Sequence, residues 1–421
     1  MFTLRPPHGA FAVGATTLTS PVQPPSTVGS GLTVDGQALV LDEIAFTLFY
    51  PTESKRKGPQ SIPWLLRPVY STFVGFSRFS GISAFLLWPI VYLFGVLLKI
   101  PVHPNAPLLH PPENIKQWPL VFFSHGLGGS RTAYSQVCAE LASSGRVVLA
   151  IEHRDGTSPA TTARNGRTVL YYREQDVAFP EDMKLGVLPL RTDQLAFRRQ
   201  EIYRIFEAFS ALVNTKDAAS FAGLEGEQVD LGGWQSSTGV PLVKCDNLTL
   251  AGHSFGGCTV LDVLSSPPCS PSSPLPVAKA LLLDPWLEPL PTPGPTLVHP
   301  PSSLRLLVIN SQTFTLWNDH FTRLLDLVKE WDSDHGKLLT LVGSVHHSFS
   351  DFAVFPLVRK RPAELIMDRI TTLSLSFLND NLQNTLTNLP TRDMETVVIG
   401  KRPDGRPRRS LVGATGDVVV M

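Results

Sequence analysis

Residues 247–261 read NLTLAGHSFGGCTVL, and this stretch decides the fold. The run LTLA is strand-forming, GCTVLDVL is helix-forming, and Gly252-His253-Ser254-Phe255-Gly256 stands between them. A Gly-x-Ser-x-Gly pattern in that setting puts the serine on a strained turn that lifts its hydroxyl above a sheet. Glycine is needed at 252 and 256 because side chains there would collide with the neighbouring strand and helix. The five-residue pattern alone is common; the two flanks make it informative.

A serine hydroxyl is a poor nucleophile near neutral pH, so it needs a base, and the base needs an orienting acid. On this kind of turn the chain order is Ser, then Asp or Glu, then His. The next apolar run, KALLLDPWLEPL, ends in Asp284-Pro285, which places Asp284 just past a strand end. Asp262 lies two turns into the helix that begins at the serine, and Glu288 lies too far out. Five histidines follow Ser254, at 299, 320, 335, 346 and 347. Only the adjacent His346 and His347 come directly after a strand pattern, KLLTLVGSV, and spacing does not choose between them. A tetrahedral intermediate also needs two N–H donors. One is the backbone N–H of Phe255; the other is that of Leu127, in the glycine-rich turn His125-Gly126-Leu127-Gly128-Gly129 after the strand PLVFFSH.

Working outward, near-continuous apolar runs at 43–50, 119–125, 146–153, 247–253, 279–284, 305–310 and 337–343 are expected to be strands. Such runs suit parallel strands covered on both faces. Helical patterns at 131–145, 195–213, 256–266, 319–331 and 362–380 alternate with them, which gives an α/β sheet. With the serine turn, the expected fold is the α/β-hydrolase fold: a mostly parallel central sheet with helices on both faces. One catalytic domain is expected over 1–395, with proline-rich loops at 266–276 and 289–303 and a disordered basic tail at 396–421.

Bulk composition narrows the function classes. The 421 residues carry 36 basic and 36 acidic side chains, so there is no global field for nucleic acid. Four scattered cysteines give neither a disulfide scaffold nor a CxxC metal pair. No dinucleotide or phosphate-binding glycine loop is present, and no cofactor or metal is expected. The N-terminus lacks a continuous apolar core and a cleavage site, which reads as cytoplasmic. Glu152-His153-Arg154-Asp155 has metal-ligand residue types without a closing partner set, and is expected to organise a loop beside the site.

The stretch FSGISAFLLWPIVYLFGVLL (79–98) holds twenty residues without a charge. Its length admits a membrane span, but Pro89 interrupts it, and the strands expected before and after it belong in one sheet. A buried helix is a further reading. Docking on a lipid surface through 72–100 fits best, with Phe85, Leu86, Leu87, Trp88, Tyr92, Leu93 and Phe94 suited to the interface.

Taken together, FFSHGLGGSRTAYS, LASSGRVVLAIEHRDGTSPAT, GHSFGG, LLLDPW and GSVHHSFSDF resemble the platelet-activating factor acetylhydrolases. The resemblance runs in order from the N-terminal PHGAFAVGATTL to about residue 356. It implies a metal-independent serine esterase that releases acetyl or short, oxidised acyl groups from the sn-2 position of phospholipids, in peripheral contact with a membrane or lipid aggregate. It places the nucleophile at Ser254, the acid at Asp284 and the oxyanion donors at Leu127 and Phe255. The base falls on His346, because the family pattern SVHxxFxDF leaves 347 variable. The proline-rich insertions around the acid loop depart from the family and bear on substrate. A general carboxylesterase or lipase, or an inactive hydrolase fold used for binding, are the alternatives.

Overall fold

The computed structural model describes residues 2–53, 60–180, 187–214, 221–224, 228–234, 239–292, 304–332, 336–356 and 359–421, with backbone alone at 90, 93 and 94. His299, His335 and most of the 289–303 loop lie outside the described residues, as do the side chains of Leu93 and Phe94.

Nine strands make up most of a twelve-stranded sheet. They are β1 (Ala12–Thr27), β2 (Val40–Thr52), β3 (Trp118–Ser124), β4 (Val147–Ile151), β5 (Val243–His253), β6 (Val277–Leu283), β7 (Arg305–Ser311), β8 (Lys337–Leu341) and β9 (Val418–Val420). Their order across the sheet is β1-β2-β4-β3-β5-β6-β7-β8-β9. From β4 to β8 the strands run parallel, while β1, β2 and β9 pair antiparallel.

Helices α1 (Val69–Ser80), α2 (Ala84–Ile90), α3 (Ser135–Ser143), α4 (Pro189–Asn214), α5 (Phe255–Ser265), α6 (Asn318–Trp331) and α7 (Arg361–Leu378) surround it. Alternate residues of the central strands feed two cores. Leu250, Leu282 and Val308 pack against α4, α5 and α6 on one face. Ala251, Leu281 and Ile309 pack against α3 and α7 on the other. Burial on both faces is why these strands read as continuous apolar runs rather than alternating ones. The α/β reading of the sequence describes this architecture.

Two segments differ from expectation. The sixteen-residue β1 has no apolar run, and its prolines at 21, 24 and 25 fall within the register shift between Pro21 and Ser26. Proline gives no N–H to a ladder, so it is tolerated at such an irregularity. The 396–421 tail, expected to be disordered, instead forms a hairpin of Thr396–Lys401 with Pro407–Leu411 and then β9. Val418 and Val419 are fully buried where β9 covers the edge of β8, so the sheet runs on to the last residues. A bare β8 edge would leave backbone groups without partners, and three valines are apt to cover it.

The apolar stretch 79–98 is broken three ways. Gly81 ends α1 in a left-handed conformation, α2 spans only seven residues, and a π-turn occupies Val91–Gly95 before a short strand at Leu98–Ile100. Among the described residues no helix is long and apolar enough to cross a membrane.

Candidate active site

Ser254 stands between the end of β5 and the start of α5 with φ 57° and ψ −119°. That conformation is costly for a residue with a Cβ and persists only where the surroundings impose it. The two glycines are part of what imposes it. A Cβ at Gly252 would lie 2.3 Å from the Gly256 carbonyl oxygen, and one at Gly256 would lie 1.9 Å from that of Ser124. The turn therefore folds directly onto β3, its neighbour in the sheet.

His346 Nε2 lies 2.8 Å from Ser254 Oγ, and its Nδ1 lies 2.7 Å from Asp284 Oδ2. Asp284 is fully buried at the end of β6, also with positive φ. Its other oxygen accepts the Ser311 N–H at 2.5 Å, and the Asn310 amide can donate to the same oxygen at 2.9 Å. A carboxylate so held by donors is fixed in place and orients the imidazole with its proton on Nδ1. The His346 ring is sandwiched between Phe314, stacked at 4.4 Å, and His253 at 4.6 Å. His347 points instead toward an apolar cavity and makes no contact with Asp284. Asp262 is paired with Arg199 on the far side of α5.

The turn holding Leu127 closes over the serine. A Cβ at Gly126 would come within 2.9 Å of Ser254 Cβ, and Gly128 has φ 68° and donates to the Thr157 carbonyl. Phe255 is the first residue of α5, where N–H groups lack intrahelical acceptors. Among the described residues neither the Leu127 nor the Phe255 N–H has an acceptor.

Two further side chains join these parts, and sequence reading missed both. The Gly126 N–H donates to Tyr134 Oη at 3.2 Å, and that hydroxyl meets His253 Nδ1 at 2.8 Å. His253 Nε2 lies 3.0 Å from the His346 carbonyl. Burial holds His253 well below the ordinary histidine range, so the ring is neutral. It then accepts from Tyr134 and donates to His346. One line of hydrogen bonds thus ties the Leu127 turn to the backbone of the histidine loop. In the sequence His253 occupied only a variable place in the serine pattern.

Below the turn lies a buried polar network, built by the Glu152–Asp155 stretch and by α4. His153 Nε2 lies 2.7 Å from Ser124 Oγ and its Nδ1 2.5 Å from Glu201. This has the connectivity of a second Ser-His-acid set, but all three side chains are sealed in the interior, and Ser124 Oγ also accepts from Arg198. Arg198 holds Asp155 at 2.7 Å and donates to the His125 carbonyl at 2.8 Å. His125, pushed down to about 3 by burial, donates to the Gly126 carbonyl at 2.8 Å. Glu152 binds Arg131 and Ser158, and Arg154 binds Glu43. These charges pair with one another and with neighbouring elements, and so organise the loop beside the site. Their partners on α4, Gln194, Arg198 and Glu201, share one helix face.

Among the described residues His253, Asp284 and His346 have metal-ligand atoms within 4.8 Å of one another. Both nitrogens of each ring are already committed to the hydrogen bonds above, so the set is poorly disposed to hold a cation.

Of the interface residues expected in 72–100, Phe85 is 85% exposed, Leu86 64%, Trp88 52% and Tyr92 53%, while Leu87 is half-buried. Trp88 and Tyr92 stack at 5.1 Å.

The chain is similar to known proteins. The family model for platelet-activating factor acetylhydrolase, isoform II, matches residues 5–387. The platelet-activating factor acetylhydrolase of Cavia porcellus is 30% identical over 355 residues, covering 80% of this chain and 72% of the relative. That of Canis lupus familiaris is 27% identical over 351 residues, covering 80% and 71%. A ferulic acid esterase from Streptomyces cinnamoneus shares the fold with a TM-score of 0.54 and 16% identity, over 91% of this chain and 92% of that one. The fold is that of the α/β-hydrolases. The chain belongs to the platelet-activating factor acetylhydrolase, isoform II, family of carboxylic ester hydrolases.

Proposed function

We propose that this protein hydrolyses the sn-2 acetyl or short acyl ester of platelet-activating factor-like phospholipids through an acyl-enzyme on Ser254. The observation that carries the reading is the unbroken line Ser254 Oγ–His346–Asp284, at 2.8 and 2.7 Å. Ser254 attacks the ester carbonyl as His346 Nε2 takes its proton. Asp284 holds the ring and stabilises its cation, while the Leu127 and Phe255 N–H groups bind the oxyanion. Each such donor is worth about 3–4 kcal/mol in comparable sites. His346 then returns the proton to the leaving lysophospholipid oxygen, and the acyl group stays on Ser254. Water, deprotonated by the same imidazole, releases the acid and restores the serine. No step requires a metal.

The protein in this reading meets its substrate at a lipid surface, as a peripheral protein of the cytoplasm docked through 72–100. The exposed Phe85, Leu86 and Trp88 of α2, with Tyr92 in the turn that follows, support docking, as such aromatic and aliphatic side chains fit an interface. All four cysteines are unpaired, in keeping with a reducing compartment.

The test is hydrolysis of phosphatidylcholines with acetyl, oxidised short-chain or palmitoyl groups at sn-2, in EDTA, with Ser254→Ala as control. Release of the short groups alone, by wild type alone, is expected. Equal release of all three would make the protein a general lipase or phospholipase. No release of any, with no reaction at Ser254, would leave a hydrolase fold used for binding.

A further inference from the structure

An apolar cavity of about 790 Å³ reaches His347, the residue next to the proposed base, and none of the chemistry above uses it. An acetyl group needs a small fraction of such a space, which lies in the range of sites that enclose whole small molecules. One wall comes from the histidine loop: His347, next to the proposed base, then Phe352 and Phe355. Phe76, Phe79 and Leu87 of α1 and α2 also line it, with Trp64. Phe79 also reaches the turn of the oxyanion donor, since a Cβ at Gly128 would lie 2.4 Å from its ring.

We infer that this cavity is the site for the long alkyl chain of the leaving alcohol, the sn-1 chain of the lysophospholipid. The inference rests on the reaction proposed above. His346 must hand its proton to the leaving oxygen, so the departing alcohol lies on the histidine side of the serine. The residues that follow His346 in the chain form the cavity wall on that side. The cavity also adjoins the helices that expose Phe85, Leu86 and Trp88. A chain can therefore pass from a lipid surface into the cavity along a continuous apolar path, without first being solvated by water.

Gly95 lines the cavity and gives a way to fill it. A Cβ there meets only side-chain carbons of Leu65 and Val91 at 3.4–3.7 Å, which is ordinary contact, so a larger side chain enters the space without displacing backbone. The experiment compares wild type and Gly95→Leu on 2-acetylglycerophosphocholines carrying 1-alkyl chains from methyl to decyl, below their aggregation concentrations. For wild type, kcat/KM is expected to rise by up to about fourfold per methylene until the cavity is full. In Gly95→Leu the decyl-to-methyl ratio is expected to fall at least tenfold. A flat wild-type series, or an equal ratio in the two proteins, overturns the assignment. Calorimetric titration with 1-octyl lysophosphocholine separates this from the reaction itself. If wild type cleaves none of these esters yet binds the lysolipid more tightly than Gly95→Leu does, the esterase reading falls and the chain site stands. Equal binding by the two overturns the site.

Discussion

Replacing Asp284 by Asn should leave the fold intact and nearly abolish catalysis, and the structure gives the reason. Asp284 Oδ1 accepts the Ser311 N–H at 2.5 Å, and that buried donor has to keep an acceptor. The amide oxygen of Asn must take that place, which turns the amide NH2 toward His346 Nδ1. His346 can then face it only as an acceptor, so its proton moves to Nε2 and points at Ser254 Oγ. A ring in that tautomer cannot take the serine proton, and the charge that stabilised its cation is gone as well. The same substitution in an unrelated serine hydrolase lowers kcat about 10⁴-fold, which corresponds to about 5.5 kcal/mol in the barrier. A fall of that order is expected here in acetate release from a 2-acetyl phospholipid, followed from pH 6 to 10. The calorimetric Tm should move little, since an amide of the same shape keeps the Ser311 hydrogen bond. A kcat within tenfold of wild type would refute the reasoning, because it would mean that Asp284 does not set the tautomer of the working base.

Other perturbations probe the supports of the site. Tyr134→Phe strands the Gly126 N–H and His253 Nδ1, two buried groups; it should cost about 1–3 kcal/mol in chemical denaturation and lower kcat more than it raises KM. Wild-type values for both would show the line of hydrogen bonds to be idle. Gly256→Ala sets a Cβ 1.9 Å from the Ser124 carbonyl oxygen, so the serine turn must shift off β3. Misplacement by about 1 Å costs on the order of 100-fold, and a loss of at least that size in kcat/KM is expected. Acidification should destabilise the protein. Burial holds His125 at about 3, His320 at about 4 and His253 well below its ordinary value, so below about pH 6.5 the unfolded chain binds protons that the folded one does not. Stability falls by about 1.4 kcal/mol per pH unit for each such histidine. Burial pushes Asp351 up to about 6, so the folded state takes up one proton below that pH, and His153 and Glu201 shift in opposing directions. The net expectation between pH 6 and 5 is a loss of about 2–3 kcal/mol, read as a lower urea midpoint. An unchanged or higher midpoint would contradict neutral buried histidines.

What the sequence made legible is what local pattern encodes. Strands buried on both faces appear as apolar runs, and the serine turn announces itself because only glycine fits at 252 and 256. Asp284 was readable because its strand stops abruptly at Asp-Pro. His346 needed more, since spacing left it level with His347, and the family resemblance made the choice that the 2.7 Å contact with Asp284 matches. What remained hidden depends on contacts between distant segments. β1 is held by its ladder with β2 rather than by its own proline-bearing composition. β9 carries only Val418–Val420 after a charged hairpin, and its three valines were the one signal of a strand. Tyr134 and His253 lie 119 residues apart and offer nothing in sequence to join them. The burial of Arg198, Glu201 and Gln194 was not legible either, because polar residues are buried only where partners from other elements meet them.

The central claim is that Ser254 is the residue that carries the acyl group. Ser124 provides an internal rival, because it too meets a histidine whose other nitrogen is held by a carboxylate. The most direct measurement is to treat the wild-type protein with a fluorophosphonate probe, digest it, and locate the adduct by tandem mass spectrometry, with and without a 2-acetyl phospholipid. The account predicts a single adduct on Ser254, suppressed by the phospholipid and absent in His346→Ala. An adduct on Ser124 or another serine, or none on Ser254, would contradict it.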